Sequence, residues 1–371
     1  MIESEPLQQI ERSYVLWRRR KLSYFSGCDY FRISSHPKVR RALVSGLKRY
    51  GLSVAASRRT SGNHVLYARL EKQLASFFNA DSALLVPNGY TSNLAAAQAL
   101  AGQFSHALID EAAHPSLFDA ASLLDCPVLK FCHRSVAEAT AALKRCGIGS
   151  KPILLTDGMF SRDGSVAPLK EYLKALPRDS VLLVDDAHAA GVLGPNGQGT
   201  IELAGVGRRR VIQTVTLSKA IGVYGGTILG SEALRQMILE RSRLFIGSTP
   251  LPLPLICAAA AALNILGSNK SLRSRIANNT FYLRSLLSAA GLLVPQHPGP
   301  IVSLAPRRPT DVPKIKNALA KAAIYPPFIR YPGGPLSGYF RFVISSEHTR
   351  AQLDNLGQVL IQIARSLQPL V

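Results

Sequence analysis

The chain has 371 residues, 47% of them hydrophobic and 18% charged, so it is long enough for a large core and more than one domain. It carries 44 lysines and arginines against 23 acidic residues, a formal net charge of +21. Because no uninterrupted apolar run reaches the ~18 residues that a membrane span needs, the sequence predicts no membrane-spanning helix.

The basic excess invites a nucleic-acid interpretation. However, the basic residues are spread along the chain, and no helix-turn-helix, zinc-finger or RNA-binding motif accompanies them. We therefore expect no nucleic-acid partner. Two other interpretations stay open, namely a generally basic proteome and a surface that favours anionic substrates.

The cysteines and the amino terminus bear on location. Five cysteines, an odd number without CxxC spacing, predict free thiols in a reducing compartment and no metal site. The first residues place acids before a basic cluster and lack the apolar core of a secretory signal. We expect a cytoplasmic protein.

The amino-terminal part predicts a mixed segment. Residues 12–21 are helical in character, residues 25–31 predict a short aromatic strand, and residues 37–50 show helical spacing. A loop at 57–62 then precedes a helix that presents one apolar face over 65–77.

Between residues 80 and 230, short apolar runs alternate with helical patterns. This alternation predicts a parallel, right-handed α/β sheet. The predicted strands are 83–86, 106–110, 129–133, 153–156, 181–184 and 211–216.

A glycine turn follows the first of these strands, at Pro87–Asn93. Strand, turn and an alanine-rich helix together present free N–H groups and the positive end of a helix dipole to an anion. The turn is therefore a candidate anion-binding site, although an ordinary Asn-Gly turn has the same pattern.

A lysine follows the strand at 211–216. Lys219 lies between small residues, with glycines after it and the hydroxyls of Thr216 and Ser218 beside it. Burial there lowers the pKa of an amine and frees it as a nucleophile.

An acidic and an imidazole side chain follow the strand at 181–184, in the sequence Asp185-Asp186-Ala187-His188. Open α/β sheets carry their chemistry at the carboxyl ends of their strands. A buried Asp185 facing a pyridine nitrogen keeps that ring protonated and electron-withdrawing. A helix-capping aspartate and a core histidine are the structural alternative.

Together the segments DDAHAAGVLGPNGQG and TLSKAIGVYGG resemble the α-oxoamine synthases, over residues 25 to 350. Within that family the pattern is most similar to the 8-amino-7-oxononanoate synthases of biotin biosynthesis. The resemblance implies the aspartate-aminotransferase fold (fold type I), pyridoxal 5'-phosphate as cofactor, and a large, mostly parallel sheet domain with a smaller α+β carboxyl-terminal domain. We expect an amino-terminal segment at 1–50 and domains at 51–255 and 256–371.

The resemblance also assigns roles. Lys219 binds the cofactor and removes the substrate's α-proton, His114 lies over the ring, and Asp185 contacts its nitrogen. The implied catalytic residues are Lys219, His114, Asp185 and His188. The implied cofactor-binding residues are Gly89, Tyr90, His114, Ser161, Asp185, His188, Thr216, Ser218, Lys219 and Thr249, and the substrate carboxylate is assigned to Arg341.

After residue 243 the segment LFIGSTPLPLP resembles a family segment in which Thr249 reaches the other subunit's phosphate, so we expect a homodimer. A long alanine-rich helix begins at 251, helical character continues over 268–290, and short strands occupy 292–345.

Some positions depart from the family pattern. Its carboxylate-gripping asparagine is Cys28, the first arginine of its late R-L-R is Tyr339, and the methionine of its S-M-D-G is Arg162. Asp157 stands for a glutamate, and Ala189 for the glycine after His188. These departures concern the substrate side more than the cofactor side.

The implied reaction is a decarboxylative condensation of an amino acid, with alanine favoured, and an acyl-CoA or acyl carrier protein thioester. Three alternatives stay open. They are another member of the family (2-amino-3-ketobutyrate CoA ligase or a serine palmitoyltransferase), an aminotransferase, and a non-enzymatic sensor or nucleic-acid-binding protein of the same fold.

Overall fold

The computed structural model describes residues 5–330 and 337–367. The strands in chain order are β1 (Gln8–Glu11), β2 (Tyr14–Trp17), β3 (Arg20–Ser23), β4 (Ser82–Val86), β5 (His106–Asp110), β6 (Val128–Phe131), β7 (Pro152–Asp157), β8 (Val181–Asp185), β9 (Val211–Thr216), β10 (Gly226–Gly230), β11 (Ile301–Leu304), β12 (Phe328–Ile329) and β13 (Tyr339–Val343).

The α-helices are α1 (Pro37–Tyr50), α2 (Val65–Phe77), α3 (Gly89–Ala99), α4 (Pro115–Ser122), α5 (Val136–Arg145), α6 (Leu169–Ala175), α7 (Thr200–Leu203), α8 (Glu232–Arg241), α9 (Arg243–Ile246), α10 (Leu253–Ser268), α11 (Ser271–Ala289), α12 (Asp311–Lys321) and α13 (Arg350–Leu367). Two short 3-10 helices, Ile33–Ser35 and Arg208–Arg210, complete the set.

The described residues form two compact units. The larger unit comprises Ile33–Ser161 and Ser165–Lys270, and the smaller unit comprises the described residues up to Arg32, Arg162–Gly164 and those from Ser271 onward. The domain boundaries that we predict after residues 50 and 255 remain predictions. In the compact units, α1 and α10 both lie in the larger unit, where Gly46 of α1 approaches the backbone of Pro254 closely.

The larger unit is built on a seven-stranded sheet in the order β4-β10-β9-β8-β7-β5-β6. Strands β5 to β9 pair in parallel, and β10 runs antiparallel to both of its neighbours, β4 and β9. All strands except β10 therefore run in one direction, and their carboxyl ends share one edge. This sheet confirms the expected α/β class, and β10 is a strand that the sequence pattern did not predict.

Side chains alternate across this sheet, as the pleat requires. On β7, Ile153 and Leu155 pack with the small residues of α3 and α4 on one face. Leu154 between them packs with α5 and α6 on the other face, together with Leu169 and Tyr172. Both faces are covered, which explains why the strand sequences are continuously apolar.

The smaller unit holds two three-stranded antiparallel sheets, β1-β2-β3 and β11-β13-β12. In the second sheet, Phe340 and Phe342 of β13 lie in a core shared with α11, α12 and α13. The intervening residues of β13 project to the opposite face.

Two predictions at the amino terminus are wrong. Residues 12–21 form no helix but the antiparallel strands β2 and β3, because Val15 and Leu22 are both buried and pair across the hairpin. Residues 25–31 form no strand but turns and irregular chain, although Phe25, Tyr30 and Phe31 are buried as the aromatic pattern suggested.

Within the described residues, no single helix is long and apolar enough to cross a membrane. The consecutive helices α10 and α11 reach that threshold of length and composition only as a bent pair.

Candidate active site

Five of the parallel strands bring candidate site residues to one edge of the large sheet, and four of the five strands carry residues that the sequence predicted. The helix after β4 begins at Gly89, the helix after β5 is capped by His114, and β7 ends at Asp157. Asp185 ends β8, and Thr216 ends β9 just before Lys219. The topology therefore gathers at one edge residues that lie up to 130 positions apart, as open α/β sheets do.

Lys219 lies in the turn after β9 and is half-buried. Its Nζ is 2.7 Å from Nε2 of His188, whose side chain is 5% exposed. His188 itself belongs to the turn after β8, which is fixed where the N–H groups of Ala189 and Ala190 donate to the carbonyl of Asp186. The predicted nucleophile and imidazole are thus in direct contact.

The carboxylate of Asp185 is 7% exposed and held on both oxygens. The N–H of Ala187 donates to Oδ1 at 3.0 Å, and Nδ2 of Asn93 donates to Oδ2 at 2.7 Å. Asn93 is completely buried in α3, and its Oδ1 accepts a hydrogen bond from the hydroxyl of Thr214. Sequence reasoning missed Asn93, although a buried amide in an alanine-rich helix, four residues after the glycine turn, was the available signal.

His114 occupies the amino-terminal cap of α4, where Nδ1 accepts the N–H of Ser116 at 3.2 Å. Burial and then the charge of Lys219 lower the pKa of His114, partly offset by Asp185. Because Nδ1 accepts a hydrogen bond, the neutral ring carries its proton on Nε2. A neutral imidazole therefore lies beside Lys219 and Asp185.

Asp157 is a second functional residue to which the sequence assigned no role. Its Oδ2 accepts the backbone N–H of His114 at 2.7 Å, and it lies opposite Asp185 in the register of β7 and β8. Burial, and then the neighbouring charge of Asp185, raise the pKa of Asp157 well above its ordinary value. This favours a neutral carboxyl on Asp157, which accepts the backbone N–H of His114.

The start of α3 forms a cradle of small groups. Asn88 caps the helix, and its side chain accepts the N–H of Thr91 at 2.9 Å. A Cβ added to Gly89 would lie 2.7 Å from the Cβ of Thr216, so only glycine allows this approach of the helix to the end of β9. Backbone N–H groups of the first helical turn and the Thr216 hydroxyl are thus neighbours, a donor set suited to a phosphate.

The remaining predicted residues lie around these elements. Tyr90 lies beside His114, with ring centroids 6.1 Å apart, and its hydroxyl donates to Asp119. Ser161 is half-buried in a turn, and Ser218 is exposed beside Lys219. Thr249 is exposed on the segment between α9 and α10, so the geometry just described does not include it.

Arg341 belongs to the smaller unit, where it is half-buried on β13 and pairs in register with Ser303 of β11. The completely buried Tyr30 lies near Arg341 and Cys28, and the charges of both residues act on its hydroxyl. Burial and then Cys28 raise the pKa of Tyr30 well above its ordinary value.

Comparison with known proteins places this geometry in a family. The model of the family "Aminotransferase class I and II" matches residues 32–360. The chain belongs to this family. A curated protein of Desulforudis audaxviator, named putative 8-amino-7-oxononanoate synthase, is 34% identical over 351 residues, 94% of this chain and 91% of that protein.

Solved structures agree on the fold. An 8-amino-7-oxononanoate synthase from Francisella tularensis is 27% identical with a TM-score of 0.81, over 94% of this chain and 98% of that one. A serine palmitoyltransferase of S. paucimobilis is 24% identical with a TM-score of 0.91, over 97% and 92%. The expectation of a fold type I enzyme is confirmed, and this family member is a pyridoxal-phosphate-dependent acyltransferase of the α-oxoamine synthase group.

The residues present fit that cofactor. The Gly89 cradle offers donors for a phosphate, the held carboxylate of Asp185 suits a pyridinium nitrogen, and the Lys219 amine suits an aldehyde. Among the described residues, no cluster of three or more metal-ligating side chains is found.

Proposed function

We propose that this enzyme condenses L-alanine with a seven-carbon dicarboxylic acyl thioester, with loss of carbon dioxide, to give 8-amino-7-oxononanoate. The observation that carries the chemistry is the 2.7 Å contact between Nζ of Lys219 and Nε2 of His188, at the strand edge that also bears the held carboxylate of Asp185. The substrates come from the names of the relatives.

In this proposal Lys219 holds the cofactor through its amine and later takes the proton from the α-carbon of the amino acid. The bound cofactor supplies an electron sink for the charge that develops at that carbon. The contact with His188 orients the amine and gives its proton a second acceptor. Asp185 holds the cofactor's ring nitrogen, and Asn93 fixes the orientation of its carboxylate.

His114 has a positioning role in the same proposal. Its neutral ring, whose tautomer is set by the hydrogen bond from the N–H of Ser116 to Nδ1, would lie beside the bound cofactor without adding a positive charge next to Lys219. Asp157 fixes the position of the His114 backbone, because its carboxyl accepts the N–H of His114.

Carbon counting supports the choice of acyl donor. The name of the relatives specifies a nine-carbon product with a terminal carboxylate, an amino group at carbon 8 and a ketone at carbon 7. Alanine that has lost carbon dioxide supplies carbons 8 and 9 with the amine. The donor therefore supplies seven carbons, of which one end is the thioester and the other a free carboxylate.

The reaction balances without an oxidant. A bond forms between the α-carbon and the acyl carbon, the thioester bond breaks, and the thiol leaves with the α-proton. The carboxylate then leaves as carbon dioxide, and the same carbon takes up one proton from the solvent in its place. In this scheme Arg341 holds the amino-acid carboxylate until it is lost, a task that suits a planar guanidinium.

The test is thiol release by the holoenzyme from a panel of acyl-CoAs with alanine, glycine or serine. We expect the fastest release with alanine and the seven-carbon dicarboxylic donor, and a product of the mass just derived. Faster CoA release with another pair of amino acid and acyl-CoA would assign the enzyme to a different activity within the α-oxoamine synthase group. Amine transfer to a keto acid that needs no acyl-CoA would contradict the proposal.

We also propose that the enzyme acts as a homodimer, because the family resemblance assigns Thr249 to the phosphate of the other subunit, and the exposed position of Thr249 is compatible with that role. Sedimentation of the holoenzyme checks this, and an active monomer would contradict it. The cytoplasmic location stays a prediction from the sequence.

A further inference from the structure

Arg162 lies against the β13 sheet of the smaller unit. Its guanidinium carbon is 6.0 Å from the ring centroid of Tyr339, the first residue of β13, at the outer limit of a cation–π contact. Tyr339 is 5% exposed, whereas Arg162 is exposed. The aromatic ring is therefore a fixed support under a charged group that solvent or a ligand can reach.

The backbone below Arg162 is also fixed. Gly164 has a φ of +80°, and a Cβ there would lie 3.2 Å from the Cα of Gly299, so the turn is seated directly on that residue. Gly299 is held in turn by the buried Arg284, whose Nη2 donates to its carbonyl at 2.8 Å. The backbone of the 162–164 turn, which carries Arg162, is therefore held in place.

Arg162 and Arg341 belong to one face of this sheet. Tyr339 and Arg341 alternate along β13 with Phe340 and Phe342, which lie in the core, so the first pair projects to the other face. Ser303, the register partner of Arg341, is exposed, which shows that this face is accessible there. Two guanidinium groups therefore flank Tyr339 on an accessible surface.

The nearby acid does not neutralise Arg162. Asp163 acts on the buried Arg284, whose pKa burial lowers and Asp163 partly restores. Among the described residues, Arg162 forms no salt bridge. We propose that Arg162, supported by Tyr339, is a second carboxylate-binding residue beside Arg341. In this role Arg162 selects substrates that carry a carboxylate.

This inference rests on the proposed function, which supplies two carboxylates, one on the amino acid and one at the far end of the acyl chain. It also gives a reason for two departures from the family pattern. The strand arginine expected at position 339 is a tyrosine, and the methionine expected at 162 is an arginine. The contact between these two residues suggests that the positive charge has moved from the strand to the turn.

The experiment uses the holoenzyme and the variants Arg162→Met, Tyr339→Arg and the double variant Arg162→Met/Tyr339→Arg. Arg307→Met, an exposed arginine of the same unit, is the control for loss of one charge. Calorimetric titration with L-alanine measures binding of the amino acid. The KM values for the seven-carbon dicarboxylic acyl-CoA and for heptanoyl-CoA, which lacks the far carboxylate, measure recognition of the acyl chain.

We expect Arg162→Met to weaken recognition of one carboxylate about tenfold to a hundredfold, and the double variant to recover most of that loss. A larger Kd for alanine assigns the amino-acid carboxylate. A larger KM for the dicarboxylic donor alone, with heptanoyl-CoA unchanged, assigns the far carboxylate of the acyl chain.

Arg162→Met that behaves like Arg307→Met with all ligands would overturn the inference while leaving the proposed function intact. A loss that the double variant does not recover would overturn the exchange of charge between positions 162 and 339. Failure of the proposed function is distinguishable, because the parent enzyme itself would then release no CoA from the seven-carbon dicarboxylic donor with alanine.

Discussion

The carboxyl edge of the large sheet and the accessible face of the β11-β13-β12 sheet hold their polar side chains in different ways. At the edge, Asp185, Asn93 and His188 are at most 7% exposed, and the structure gives each a close polar partner. On the other face, Arg341 is half-buried and Arg162 is exposed against an aromatic ring.

This difference shows where the family pattern tolerates change. A buried polar group that loses its partner costs about 1–3 kcal/mol, so changes at the edge need simultaneous compensation. An exposed arginine such as Arg162 can be gained at little cost to folding, because its charged group stays in water. The departures at Cys28, Arg162 and Tyr339 lie in the smaller unit and change the class of side chain. Those at Asp157 and Ala189 lie in the larger unit and conserve it, as a carboxyl for a carboxyl and a small residue for glycine.

The largest expected effect comes from the edge. We predict that Lys219→Ala abolishes the visible absorbance of the bound cofactor and lowers turnover by at least the ~10²–10⁴-fold of a lost acid–base group. Lys170→Ala, an exposed lysine of α6, is the control and should leave the spectrum unchanged. Spectra of the purified proteins check this, and a parent-like spectrum of Lys219→Ala would remove the lysine from the site.

A smaller effect is expected on the accessible face. We predict that Arg341→Ala raises the KM for the amino acid about a hundredfold, the loss expected when a substrate carboxylate is left without its cation at about 3 kcal/mol. The cofactor spectrum should not change, in contrast to Lys219→Ala. Steady-state kinetics with Arg307→Ala as control decide the matter, and an unchanged KM would assign the carboxylate to another residue.

Much of the large sheet could be predicted from sequence because its strands are covered on both faces and are therefore continuously apolar. Residues 106–110 and 181–184 are such cases, and the structure has strands there. The hairpin β2-β3 was missed, because its strands are only four residues long and their burial does not follow a simple alternation of buried and exposed residues. The local sequence pattern cannot distinguish a helix from a short hairpin, because strand pairing in the folded chain determines which one forms.

The site shows the same limit. Lys219, Asp185 and His188 follow predicted strands, so their proximity follows from parallel topology alone. The support by Asn93 and Asp157 depends on which helix and which strand neighbour pack against Asp185. That information lies in the strand order and not in any one segment.

A third prediction tests the core of the smaller unit by pH. His348 is 4% exposed and stacked on Phe25, with Nδ1 accepting the N–H of Ser345 and Nε2–H donating to the carbonyl of Tyr24. Burial, followed by the charge of Arg32, lowers the pKa of His348 to about 3. The unfolded chain, with a histidine pKa of about 6.5, therefore binds the proton more readily.

Because the folded pKa is lowered, the stability from neutral His348 is fully present above pH 6.5 and is lost as the pH falls toward 3. At pH 5 the loss is about 2 kcal/mol relative to pH 7.5. We predict that His348→Gln, which does not titrate, is less stable than the parent at pH 7.5 but loses about 2 kcal/mol less between these pH values. Denaturant unfolding at both pH values checks this, and equal losses would contradict it.

The smallest expected effect concerns Cys28, which stands where the family has a carboxylate-binding asparagine. Its side chain lies beside the buried Tyr30, and Arg341 acts on the same hydroxyl. The carbonyl of an asparagine there accepts a hydrogen bond from the Tyr30 hydroxyl, and its amide N–H groups are then available to donate to a substrate carboxylate. One added hydrogen bond is worth about 1 kcal/mol, or about five- to tenfold in binding.

We therefore predict that Cys28→Asn lowers the Kd for L-alanine about fivefold, while Cys132→Asn, at an exposed cysteine, has no effect. Titration of amino-acid binding by the change in cofactor absorbance measures both. If Cys28→Asn instead binds alanine more weakly than the parent, the smaller thiol is shaping the pocket for a different amino acid. In that case the substrate named in the proposed function is wrong, while the chemistry at Lys219 is unaffected, because the two regions are held by separate contacts.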